Sequence, residues 1–136
     1  MTLEHDDAVR VASAARTAAA EAGQTGAVAV VDAYGDDLVV LRDHSASWFT
    51  AAAARAKART SARFGRPCVE LTGLAETWPE VFDIASDELA WRPVTLDGGV
   101  PIRRGGVVVG AVGVSGGPPE IDRRCADAAV ASLEES

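Results

Sequence analysis

Cysteine is nearly missing from this chain. Its two residues, Cys68 and Cys125, lie far apart and outside any Cys-x-x-Cys pair. That excludes the common zinc-site spacings, and in a reducing compartment both are expected to stay thiols in small buried sites. Aromatic side chains are scarce, at 5% of residues, so the three tryptophans stand out. Basic charge is also short: 13 Lys and Arg against 20 Asp and Glu leave a net charge of -7. An acidic chain repels phosphate backbones, which argues against nucleic acid and anionic membranes as partners. No apolar run approaches the roughly 18–20 residues of a membrane span. The first residues, Met1-Thr2-Leu3-Glu4-His5-Asp6-Asp7, are acidic where an export signal is basic, so a cytoplasmic location is expected. Repeats, low-complexity tracts and linkers are lacking, and residues 1–136 read as one domain.

Phosphate-binding fingerprints are missing too. The glycines form neither a G-x-G-x-x-G turn opening a helix nor a GK[ST] loop. What they do form is a dense block in the last third, Gly98-Gly99-Val100-Pro101-Ile102 and then Gly105 through Gly117 with Val and Ala between. Such a strand suits close approach by other backbones, as in a ligand-pocket wall or a tight interface. Gly98-Gly99 and Gly116-Gly117 read as sharp turns, or as backbone amides open to an anionic group.

Residues 3–22 read as an Ala-rich helix with Thr2 as N-cap and Gly23 as its stop. Residues 26–32 and 38–42 read as an antiparallel hairpin around Tyr34-Gly35-Asp36-Asp37. A second Ala-rich helix spans 47–64, and helical turns are expected near 69–76 and 80–90. Strands are expected at 92–96, 100–103 and 107–114, and a closing amphipathic helix at 120–134 with Ile121, Cys125, Ala128, Ala129 and Leu133 near one face. The fold class is therefore α+β: a central antiparallel sheet of about five strands flanked by helices.

Several segments, in order, resemble the GlcG/HbpS-like family, which includes the C-terminal domain of PduO-type proteins. Val28-Ala29-Val30-Val31-Asp32 with Gly35 resembles its first hairpin, and Ala54-Arg55-Ala56-Lys57-Ala58-Arg59-Thr60 its central helix. Phe64-Gly65-Arg66-Pro67, Gly98-Gly99-Val100-Pro101-Ile102 and Gly110 through Gly117 are similar to later family segments, as are Asp122 and Ala126 in the closing helix. The resemblance implies a profilin- or PAS-like layered domain, a homo-oligomer and, in some members, heme as ligand. Two departures are visible. His44 and Ser45 stand where the family usually has Asp and Gly, and Gln24-Thr25-Gly26 offers no His just before the first strand, where some heme-binding relatives carry one.

His44, on a loop after a strand and beside Arg42, is the sharpest candidate, as a general base or an axial metal ligand. Arg42 and Lys57 are candidate cations for a substrate carboxylate or for heme propionates. Trp48 is a candidate wall for a flat ligand, and Gly98, Gly99, Ser115 and Gly116 are candidate contacts. Gly113-Val114-Ser115-Gly116-Gly117 matches G-x-S-x-G, but both histidines precede Ser115 and prolines follow it, so it is not read as a nucleophile elbow. Glu4-His5-Asp6-Asp7 fans around a helix start and is read as solvated rather than as a metal site. Two functions remain. One is a module binding heme or another planar or carboxylated metabolite. The other is a cofactor-independent isomerase, cyclase or lyase with His44 as acid/base and Arg42 as anion anchor.

Overall fold

The computed structural model describes residues 2–134. Helix α1 (His5–Glu21) leads into the hairpin β1 (Ala27–Asp32) and β2 (Asp37–Arg42). Helix α2 (Trp48–Phe64) follows, then a 3-10 turn (Cys68–Leu71), α3 (Thr72–Thr77) and α4 (Pro79–Leu89). Strands β3 (Gly99–Arg104) and β4 (Val107–Ser115) precede the last helix, α5 (Pro119–Glu134). The sheet has the order β2-β1-β4-β3 with every pair antiparallel. Among the described residues no helix is long and apolar enough to cross a membrane.

The two faces of the sheet are built differently. Val28, Val30, Val112 and Val114 point to one face and pack with Val11, Ala15, Cys125 and Ala129 of α1 and α5. Ala27, Ala29, Val31 and Ala111 point to the other, against Ala54, Ala58 and Ala62 of α2. Alanine on both partners lets α2 lie almost on the strand backbones. At Gly113 a Cβ would overlap the Ala54 carbonyl, so the glycine is what permits that approach. Between β3 and β4 the two-residue turn Gly105-Gly106 has φ of 57° and 80°, the left-handed pair a tight hairpin requires.

The α+β class and the antiparallel sheet are as expected, with one strand fewer. Residues 92–96 are not a strand. Pro93 has no N–H to give, the Val94 N–H donates to Thr60 Oγ1 (3.1 Å), and the Leu96 carbonyl accepts from Cys68 Sγ (3.0 Å). The segment is thus satisfied by α2 and the 3-10 turn instead of a neighbouring strand. Thr2 is not the N-cap either: α1 begins two residues later, with Glu4 in the cap position. On α5 the buried stripe runs through Asp122, Cys125, Ala126, Ala129 and Leu133, leaving Ala128 in solvent.

Candidate functional site

A cavity of about 750 Å³ opens at the end of the sheet where β1 begins and β2 and β4 finish. The C-terminal half of α1 covers one side, and the segment 23–26 crosses it. Val28, Leu41 and Val114 supply apolar wall, because they belong to the sheet face that packs on α1.

The polar groups come from the last row of the sheet, that of Ala27, one residue beyond the Val28 row that supplies the apolar wall. Ala27 pairs with Arg42 on β2 and with Ser115 on β4, so Arg42 and Ser115 lie on one cross-strand row. They sit two strand spacings apart, roughly 9.5 Å between backbones. Arg42 holds the turn after β2: its Nη1 donates to the carbonyls of Asp43 (3.1 Å) and Ala46 (2.6 Å). Hydrogen bonds from the Ser45 hydroxyl (2.6 Å) and N–H (2.9 Å) hold the Asp43 carboxyl below its ordinary pKa. Its charge faces His44, whose Nδ1 is 3.7 Å from Asp43 Oδ1. The His44 side chain is 98% exposed and stands at the rim. Arg16, on α1, brings a second guanidinium to the cavity.

At the inner side is Asp122, only 3% exposed. Its Oδ2 accepts from Lys57 Nζ (3.1 Å) and its Oδ1 from the Gly117 N–H (3.2 Å). Burial raises the Asp122 pKa, and the Lys57 ammonium works against that rise.

Arg42, His44 and Ser115 therefore border one cavity. The other candidates do not line that cavity. Lys57 is 1% exposed and committed to Asp122 and to the Val114 carbonyl (2.8 Å). It lines a separate apolar groove with Phe49, Ala52, Ala56, Val94 and Leu96. Trp48 is 76% exposed and meets Phe49 edge-on (5.9 Å), because it starts α2 on the side away from the cavity. Gly98, at φ 127°, makes room for Lys57: a Cβ there would sit 2.8 Å from Nζ. Gly99 lies under α2, and Gly116 packs on Thr25 and Gly26, so backbone approach accounts for both.

Arg16, Gln24, Thr25 and Asp122 also line the cavity and were not expected. Arg16 looked like one charge among many on a solvated helix face. For Asp122 there was a signal in the family-like Lys57 and Asp122, but nothing local to pair them.

The family described as "haem degrading protein HbpS-like" matches residues 3–131. A crystallised double mutant of HbpS from Streptomyces reticuli is 33% identical, with a TM-score of 0.87 over 98% of this chain and 88% of that one. A crystallised complex of PduOC with heme is 28% identical, with a TM-score of 0.84 over 97% of this chain and 95% of that one. The corrinoid adenosyltransferase PduO of Salmonella typhimurium is 30% identical over 106 residues, 78% of this chain. The match covers 31% of that protein's length, so the chain spans about a third of this curated relative.

Proposed function

The chain belongs to the HbpS-like family, and from that premise we propose that it is a small-molecule-binding protein whose cavity at the end of the sheet takes a planar, carboxylated ligand, with heme the first candidate. One observation carries the reading: two arginines, Arg16 and Arg42, and a histidine, His44, line one cavity together with the apolar side chains of Val28, Leu41 and Val114.

The residues suit heme. Val28, Leu41 and Val114 offer the apolar wall a ring needs. Arg16 and Arg42 would hold the propionates, since guanidinium pairs with carboxylate in a forked geometry. His44 would supply the imidazole donor to the iron. The other imidazole, His5, starts α1 and is about 16 Å along the helix from Arg16. Heme, when bound, supplies an iron centre for redox or oxygen chemistry. The protein's part is to bind, to exclude water from the ring and to anchor its charge.

A cofactor-independent enzyme using His44 as acid/base has less behind it. That imidazole stands almost wholly in solvent at the rim, outside the enclosed part of the cavity.

Self-association belongs to the same proposal. Helix α4 is acidic, with Glu80, Asp83, Asp87 and Glu88, and leaves Val81 and Ile84 exposed beside Trp78. On the α2 side, the apolar groove is lined by Phe49, Ala52, Ala53, Ala56, Val94 and Leu96. The α4 surface and the groove match in apolar content, and the occupant we assign to the groove is a second copy of this chain. Sedimentation equilibrium checks it: Ile84→Asp lowers the mass, and an unchanged monomer in both forms refutes it.

The ligand is tested by titrating heme into the purified protein and following the Soret band. A saturable, stoichiometric shift that His44→Ala removes or displaces is expected. No saturable shift retires heme.

A further inference from the structure

The cavity is lined by charge of both signs, and heme does not use both. Arg16 and Arg42 are exposed, Asp43 directly follows Arg42, and Asp122 is buried. A buried carboxylate is costly, and it is tolerated here because Lys57, itself buried, lies against it. Buried pairs of this kind can often be replaced by apolar residues without loss of stability, so packing alone does not account for a charged pair at this place.

The carboxylate also has capacity left. An ionised carboxylate has about four acceptor positions. Lys57 Nζ takes one on Oδ2, and the Gly117 N–H takes one on Oδ1. Lys57 meanwhile ties the carboxylate to the Val114 carbonyl at the end of β4 (2.8 Å), so the acceptor is fixed in position rather than free to turn away. Gly117 is two residues beyond Ser115, and Ser115 is on the cross-strand row of Arg42. A ligand with a carboxylate and a separate hydrogen-bond donor can use both the arginines and Asp122.

We propose that Asp122 is a ligand-binding acceptor in the cavity, so that the site selects carboxylates that also carry an O–H or N–H donor. This rests on the cavity being the ligand site, but not on heme as its occupant. Arg16 and Arg42 bind the carboxylate, and Asp122 accepts the donor. A site built to accept a hydrogen bond discriminates strongly against an analogue that cannot offer one, because its buried acceptor is then left without a partner.

Benzoate and 4-hydroxybenzoate differ only in that donor, and calorimetric titration of each into the full chain gives the test. The wild-type protein should bind 4-hydroxybenzoate at least about tenfold more tightly than benzoate. The double variant Lys57→Met/Asp122→Leu, which removes both charges at similar volume, should bind the two alike. A second readout needs no variant: the carboxyl carbon-13 resonance of Asp122 should move on adding 4-hydroxybenzoate and stay on adding benzoate. Equal binding of the two acids, binding of neither, or a still Asp122 resonance overturns the proposal. Heme titration, run separately, keeps the two readings apart. Heme binding without a hydroxyl preference sinks this inference alone, and a hydroxyl preference without heme binding retires heme alone.

Discussion

Lys57 Nζ lies 3.1 Å from Asp122 Oδ2, and the side chains are 1% and 4% exposed. Lys57 is the only lysine in the chain. The contact joins α2 to α5 around the end of the sheet, with the Val114 carbonyl as third member. Removing one partner leaves a buried charge alone, so Asp122→Ala should cost about 3–5 kcal/mol. Replacing both, as Lys57→Met/Asp122→Leu, should cost much less or even stabilise. Urea unfolding of the three proteins measures this. Equal losses in the single and double variants would mean that the pair is not what the single change disturbs.

Glycine has two distinct roles here, and alanine separates them. Gly113→Ala drives a methyl group into the Ala54 carbonyl on α2, where backbone meets backbone and neither can turn aside. A loss above about 2 kcal/mol, or failure to fold, is expected. Gly73, in α3, has nothing within 4 Å of the position a Cβ would take. There Gly73→Ala should stabilise by roughly 0.5–1 kcal/mol, through helix propensity and a less flexible unfolded chain. Thermal melts of both variants decide. Similar shifts in the same direction would contradict the close packing of α2 on β4.

Both cysteines are free and buried, and burial raises the pKa of each thiol above its ordinary value. Native protein should therefore react slowly with a disulfide reagent and fast once unfolded. The linkage has a definite sign. For Cys68 the folded pKa is raised above 9.0, so its contribution to stability is whole below that pH and is lost as the pH climbs toward the folded value. Denaturation series from pH 8 to 11 should show a shallower alkaline decline in Cys68→Ala than in wild type. Parallel declines would show that the thiol is not held neutral.

Much of the fold was legible because periodicity and glycine placement act locally. The Ala-rich helices, the hairpin at Tyr34-Gly35 and the strand through Gly110 and Gly113 each follow from neighbours in sequence. Residues 92–96, Arg-Pro-Val-Thr-Leu, do not form the expected strand because their backbone is satisfied by Thr60 and Cys68 from other elements. The site was legible only in part, for the same reason. Arg42 and His44 follow a strand end and were visible. Lys57 was recognisable as unusual, but its direction depends on Asp122, 65 positions away. Trp48 was drawn toward the pocket by nearness in sequence to His44, yet the turn at 43–47 sends it to the other side. Arg16 reaches the cavity only because α1 folds over the sheet end.

The central claim is that the cavity under α1 is where ligand binds, and blocking it tests that most directly. Ala20 is exposed on α1 and lines the cavity, whereas Ala52 is exposed on α2 and lines the apolar groove on the opposite side. Heme should be titrated into wild type, Ala20→Trp and Ala52→Trp, with the Soret band as readout. The account predicts saturable binding in wild type and Ala52→Trp and its loss in Ala20→Trp. Undiminished binding by Ala20→Trp would place the ligand elsewhere and contradict the account.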